Sequence, residues 1–64
     1  MRLRDIVKRT GQYKPIRIFA GCQTIFNGAK FYIPEQEWNQ KIRPYYDCEV
    51  IGSREVNGTT MVMI

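Results

Sequence analysis

Apolar residues recur along this chain with two different periods, and the change between the periods separates helices from strands. Leu3, Ile6 and Val7 are spaced i, i+3 and i+4, which places them on one helix face, and Gly11 follows where a helix commonly ends. This spacing predicts a helix over residues 2–10. Because so short a helix is unstable alone in water, we expect it to pack on the rest of the fold.

A period of two follows this helix and predicts strands. Residues 15–20 form the first predicted strand, and residues 24–32 form the second. The pair Asn27-Gly28 interrupts the second run. We favour a β-bulge over a turn there, because the run as a whole is rich in β-branched and aromatic residues.

Residues 33–42 predict a second short helix. Pro34 suits the first helical turn, and Trp38 and Ile42 share a face at i, i+4. Pro44 then ends the helix, because the residue before a proline avoids helical geometry.

The pair Asn57-Gly58 lies between two apolar runs and is a strong signal for a β-hairpin. It predicts a third strand over residues 45–56, with a bulge near Ile51-Gly52, and a last strand over residues 59–64. A two-residue turn sets the register and pairs Val56 with Thr59, Arg54 with Met61 and Ser53 with Val62.

The last strand is apolar on both sides, because Met61 and Met63 alternate with Val62 and Ile64. One side can pack on the helices, and the other can be covered by a second copy of the chain. A domain of about 60 residues buries little of its surface, so association with itself would add stability. We therefore expect a homo-oligomer.

Together these elements predict an α+β fold. It is a four-stranded, mainly antiparallel sheet with an N-terminal helix and a second short helix between strands 2 and 3. Because the last strand runs to the final residue, we interpret residues 1–64 as a single compact domain.

Composition argues against an enzyme and against a metal or cofactor site. The chain has no histidine and only two cysteines, so the usual base for a serine or cysteine nucleophile and the usual zinc ligands are missing. A Cys22–Cys48 disulfide stays open as an alternative to two reduced thiols, with Cys48 expected in the core. Asp47 and Glu49 form a weak cation site at best, and a solvated strand face is the favoured interpretation.

Charge is concentrated at the start of the chain. The net charge is +4, and the first 17 residues alone carry +5. This asymmetry favours an anionic partner, although surplus cations also serve solubility alone. The candidate binding residues for an anion are Arg2, Arg4, Lys8, Arg9, Lys14 and Arg17.

Tyr13 and Phe19 accompany these cations, and guanidinium groups beside aromatic rings suit a phosphate and a stacked base. The candidate aromatic contacts are Tyr13, Tyr32, Trp38 and Tyr45, and for Trp38 a core position is the favoured interpretation. We expect the six cations to form one positive surface, because four of them occupy outer positions of the first helix, and Lys14 and Arg17 lead into the first strand beside it.

No apolar stretch is long enough for a signal peptide or a membrane span, which predicts a cytoplasmic protein with no membrane partner.

The order of apolar segments resembles that of very small proteins encoded by bacteriophages and mobile elements of Gram-positive bacteria. The matching segments are 3–7, 16–18, 25–28, 33–34, 48–51 and 61–64. Some small phage proteins inhibit host defence by blocking a host protein or by sequestering a nucleotide signal. The resemblance therefore implies a non-enzymatic binding protein that acts in the host cytoplasm against a host protein or an anionic nucleotide. A small basic nucleic-acid-binding protein and a structural assembly subunit remain alternatives.

Overall fold

The computed structural model describes all residues, 1–64, and shows the α+β architecture that the sequence predicts. The first helix, α1, spans Leu3–Thr10 and buries Leu3, Ile6 and Val7 as its spacing requires. The Asp5 carboxylate accepts a hydrogen bond of 3.0 Å from the Arg2 backbone N–H, which satisfies one free donor at the helix start. At the other end, Gly11 takes a positive φ of 82° and its N–H donates to the Val7 carbonyl.

The four strands form one mixed sheet. Strand β1 spans Ile16–Ala20, β2 spans Gln23–Gly28, β3 spans Gly52–Val56 and β4 spans Thr59–Met63. Their order across the sheet is β2-β1-β4-β3. The β1–β2 and β3–β4 pairs are antiparallel, whereas β1 and β4 run parallel in the centre. The sheet is thus mainly antiparallel, as predicted.

The final hairpin has the predicted register. Val56 pairs with Thr59, Arg54 with Met61 and Ser53 with Val62. The turn residues Asn57 and Gly58 both have positive φ, 52° and 82°, which is the geometry that a two-residue hairpin of this sequence requires.

The second strand is shorter than predicted, and the bulge lies elsewhere. Gly28 has a φ of 145°, and the chain leaves the sheet there to form a 3₁₀ helix over Lys30–Tyr32. The Phe31 N–H donates to the Gln12 carbonyl instead of to a strand. The bulge lies in β2 at Ile25. This residue has no partner in β1, because Ile18 pairs with Phe26 and Phe19 pairs with Thr24.

The third strand also begins later than predicted. The second helix, α2, spans Glu35–Lys41, and a 3₁₀ helix over Arg43–Tyr45 follows it. The next residues bind the start of α1 and not β4. The N–H groups of Leu3 and Arg4 donate to the carbonyls of Cys48 and Tyr46. Cys48 is consequently exposed, so its predicted core position is wrong, and both thiols are free.

Both helices pack on the same face of the sheet. Alternate residues of the central strands point toward the helices, and the resulting core holds Leu3, Ile6, Val7, Ile16, Ile18, Trp38, Ile42 and Val62. None of the helices combines the length and apolar character that crossing a membrane requires. The opposite face of the sheet has no helix over it, and the site described next lies on the helical side.

Candidate functional site

A surface groove of about 530 Å³ lies beside α1. Arg4 and Lys8 contribute one wall from the exposed side of the helix. Gln12 comes from the loop after the helix, and Lys30 and Tyr46 come from later segments. We call this cavity the basic groove. Three cationic side chains line it, against one carboxylate, that of Asp5.

Two of these cations are free of ion pairs. Neither Lys8 nor Lys30 has a carboxylate within ion-pair distance, whereas Arg4 Nη2 lies 2.9 Å from Asp47 Oδ1. The Asp5 carboxylate accepts the backbone hydrogen bond at the start of α1. The two lysines therefore give the basic groove an unneutralised positive charge.

Tyr46 adds a neutral donor to the groove. Its hydroxyl accepts a hydrogen bond of 2.6 Å from Trp38 Nε1. A phenol donates one proton and also accepts, so the Tyr46 hydroxyl proton remains free to bind an oxygen atom in the groove. The basic groove thus combines two free ammonium groups with one neutral donor.

Three exposed aromatic rings pack together next to the groove. Tyr13 and Phe31 have ring centroids 4.8 Å apart, and Phe31 and Tyr32 lie edge to face at 5.3 Å. Their exposed fractions are 64%, 54% and 79%. We call Tyr13, Phe31 and Tyr32 the aromatic cluster. It adjoins the basic groove because Phe31 follows Lys30 and its N–H binds the Gln12 carbonyl at 2.8 Å.

The structure separates the other predicted cations. Arg2 lies 3.6 Å from Asp47 and 3.9 Å from Glu49. Arg9 and Lys14 line a smaller cavity on the other side of α1.

Arg17 lies on the far side of the sheet. It alternates with the buried Ile16 and Ile18 and pairs with Met61 of β4. The prediction that all six cations form one positive surface is therefore wrong. The reason is that strand alternation sends Arg17 away from α1.

Two predicted aromatic contacts also lie outside this site. Trp38 is only 1% exposed, so its ring belongs to the core and makes no surface contact. Tyr45 lines a separate cavity with Gln40 and Pro44.

Asp47 and Glu49 are engaged by Arg2 and Arg4. No group of three or more histidine, cysteine or acidic side chains is placed to hold a metal ion.

Sequence reasoning missed Gln12, Lys30, Phe31 and Tyr46. The sequence pattern predicts a strand for Lys30 and Phe31, and only the turn at Gly28 brings them beside α1. The local signal for this turn is the glycine itself, because glycine readily adopts the φ of 145° at which the chain leaves the sheet.

No protein-family model matches the chain, and no curated protein or solved structure is significantly similar to it.

Proposed function

We propose that this chain is a non-catalytic binding protein for a nucleotide-type anion. The phosphate groups lie in the basic groove and a base packs on the aromatic cluster. One observation carries the proposal: two lysines without ion-pair partners lie beside three exposed rings, of which Phe31 packs against the other two. The positive charge and the apolar platform are neighbours, because Gln12 and Lys30 line both the basic groove and the cavity that contains Phe31.

The dimensions and chemistry of the site support this ligand class. Small-molecule sites usually enclose about 300–1,000 Å³, and the groove volume falls within that range. Lysine binds phosphate as a mobile point charge, and stacking of a base on an aromatic ring contributes about 1–3 kcal/mol. Exposed rings that cluster are unfavourable in water unless a partner covers them.

The resemblance to phage accessory proteins suggests where such binding would act. A small phage protein that sequesters a nucleotide would remove a host defence signal without any catalytic group. We therefore propose a host nucleotide signal as the ligand and the host cytoplasm as the place of action.

A single-stranded nucleic acid is the second candidate, because three adjacent rings can stack on bases of any sequence. The two ligand classes differ in salt dependence. Binding along a nucleic acid releases several counterions and weakens steeply with salt, whereas a single nucleotide releases few.

The chain offers a matched pair of variants for the test. The double substitution Lys8→Gln with Lys30→Gln removes both free cations of the basic groove. The double substitution Arg9→Gln with Lys14→Gln removes the same charge from the other side of α1. Because Lys8 and Arg9 both lie in the last turn of α1, the two variants also disturb the helix dipole similarly.

Calorimetric titration with a panel of linear and cyclic nucleotides, and with a short oligothymidine, measures binding. We expect the groove variant to weaken binding by about tenfold or more, a difference of about 1.4 kcal/mol. The Arg9 and Lys14 variant should bind like the native chain. Equal weakening in both variants would reveal unspecific attraction, and a panel without any binder would contradict the proposal.

A further inference from the structure

The face of the sheet opposite the helices carries an apolar row beside a cationic row. Strand pairing places Phe19 next to Met63, and Met63 next to Gly52. Two residues earlier in β4, Met61 lies between Arg17 of β1 and Arg54 of β3. We call Arg17, Phe19, Arg54, Met61 and Met63 the open face.

The apolar row borders a shallow cavity. About 300 Å³ lie between Phe19, Met61 and Met63, with Gly52 at the side. A Cβ atom at Gly52 would stand 3.3 Å from the Met63 methyl carbon, which is tight, so the glycine leaves room for this side chain. Met63 is 50% exposed, although it lies in a central strand. Unbranched methionines adapt to the shape of a partner, as in other peptide-binding surfaces.

The cationic row has no counter-charge. Neither Arg17 nor Arg54 takes part in an ion pair. The Arg17 Nε atom is buried and has no hydrogen-bond partner. The nearest acid along β3 is Glu55, and strand alternation directs it to the opposite side. The open face therefore attracts carboxylates that the chain itself does not supply.

A second copy of the chain fits this face poorly. Two open faces in contact would oppose four arginines without any carboxylate between them.

A nucleic acid also fits less well. Its bases need exposed rings for stacking, and Phe19 is the only ring on this face and is partly buried. The aromatic cluster on the other side of the molecule offers a better platform.

We propose that the open face docks a protein partner through an acidic amphipathic helix. Apolar residues of that helix fill the cavity beside Met61 and Met63, and its flanking carboxylates pair with Arg17 and Arg54. Grooves lined by methionine bind helices through apolar residues at i, i+3 or i+4, and a carboxylate can take two parallel bonds from one guanidinium. This interaction is independent of the nucleotide proposed for the basic groove.

Selection from a library of random peptides tests the proposal. The peptides should have about 15 residues, long enough for a short helix, and the full chain is the bait. We expect the selected peptides to combine Asp or Glu with large apolar residues at helical spacing. The strongest of them then serves as the probe in titrations.

The probe should act on the open face alone. In a methyl NMR spectrum of the native chain, it should shift the signals of Met61 and Met63 but not that of Met1. It should bind at least about tenfold more weakly to the Arg17→Gln, Arg54→Gln variant than to the Arg9→Gln, Lys14→Gln variant of equal charge. Arg9 and Lys14 line a cavity that Arg54 also borders, so the second variant keeps the open face but removes neighbouring charge.

Four results would overturn the proposal. The first is that the selected peptides lack acids, and the second is that they leave both methionine signals in place. Concentration-dependent shifts of these signals together with a dimer in sedimentation would identify a second copy as the occupant. Shifts caused by an oligothymidine would identify a nucleic acid.

Discussion

At the scale of single residues, Trp38 connects the core with the surface groove. Its ring packs edge to face against Phe26 at 5.1 Å, and its Nε1 donates to the Tyr46 hydroxyl. The Lys30 ammonium lies 5.3 Å from the centre of the same ring. Two of the residues that line the basic groove are thus positioned by one buried side chain. The geometry of the site therefore depends on the packing of the core.

The Trp38–Tyr46 hydrogen bond predicts a specific loss of stability. Tyr46→Phe leaves the buried indole N–H without an acceptor, which costs about 1–3 kcal/mol. Tyr45→Phe is the control, because the Tyr45 hydroxyl makes no hydrogen bond within the chain. Removing this hydroxyl should change the free energy of unfolding by less than about 0.5 kcal/mol. Urea denaturation of both variants measures the difference. Equal urea midpoints for the two variants would show that the Trp38–Tyr46 hydrogen bond does not contribute to stability.

The thiols give a second prediction at this scale. Cys22 and Cys48 are both exposed and unpaired, so both should react with a thiol reagent in the folded protein. An aromatic disulfide reagent releases a coloured thiolate for each thiol that reacts. Measuring its absorbance with and without denaturant gives the number of reactive thiols in the unfolded and in the folded protein. If only one thiol reacts before unfolding, the other side chain is buried in the folded protein. If neither thiol reacts with or without denaturant, the two are paired.

At the scale of elements, local signals were sufficient wherever an element depends on its own residues. The Asn57-Gly58 turn determines the register of its hairpin, and the spacing of Leu3, Ile6 and Val7 determines the buried side of α1. Local signals gave a wrong prediction at residues 45–51, where apolar and polar residues alternate as they do in a strand. Their carbonyl and N–H groups bind the start of α1, a partner more than 40 residues distant that no local pattern reveals. Tyr46 of the basic groove was missed for the same reason, whereas Lys30 was missed because the chain leaves the sheet at Gly28.

The position of β4 predicts the effect of truncation. This strand pairs with β1 on one side and with β3 on the other, and it contributes the fully buried Val62. Deletion of residues 61–64 removes two ladders of hydrogen bonds together with this burial, so we expect loss of the folded state. The amide dispersion of an NMR spectrum measures this outcome.

A substitution in the same strand is the control for the truncation. Met61→Ala with Met63→Ala keeps the backbone and Val62 but shortens the side chains on the open face. This variant should retain the dispersed spectrum. If the truncated chain and the double alanine variant both lose the dispersion of their amide signals, the two methionine side chains, and not the strand pairing, stabilise the sheet.

At the scale of the whole molecule, one basic segment supplies three different surfaces. Arg2 and Arg4 bind the acidic residues Asp47 and Glu49, and Lys8 faces the basic groove. Arg9 and Lys14 lie on the other side of α1, and Arg17 lies across the sheet. A net charge of +4 therefore does not describe one binding site. It is divided between structural ion pairs, the basic groove, the open face and the cavity beside Arg9 and Lys14.

The small size of the chain makes thermal stability a sensitive measure of ligand binding. The unfolding entropy scales with chain length, and it is small for a chain of 64 residues. In domains of about this size, each 1 kcal/mol shifts the Tm by roughly 4–8 °C. A nucleotide at one hundred times its Kd stabilises the folded state by about 2.7 kcal/mol. We therefore expect the Tm to rise by more than about 10 °C.

The two groove variants make this thermal measurement specific to the site. The Lys8→Gln, Lys30→Gln protein should lose the rise because its ligand affinity falls, while the Arg9→Gln, Lys14→Gln protein should keep it. The comparison is made between the Tm of each variant with and without nucleotide, so that any change in the stability of the free protein cancels. A rise that is equal in all three proteins would place the nucleotide outside the basic groove and contradict the proposed phosphate site.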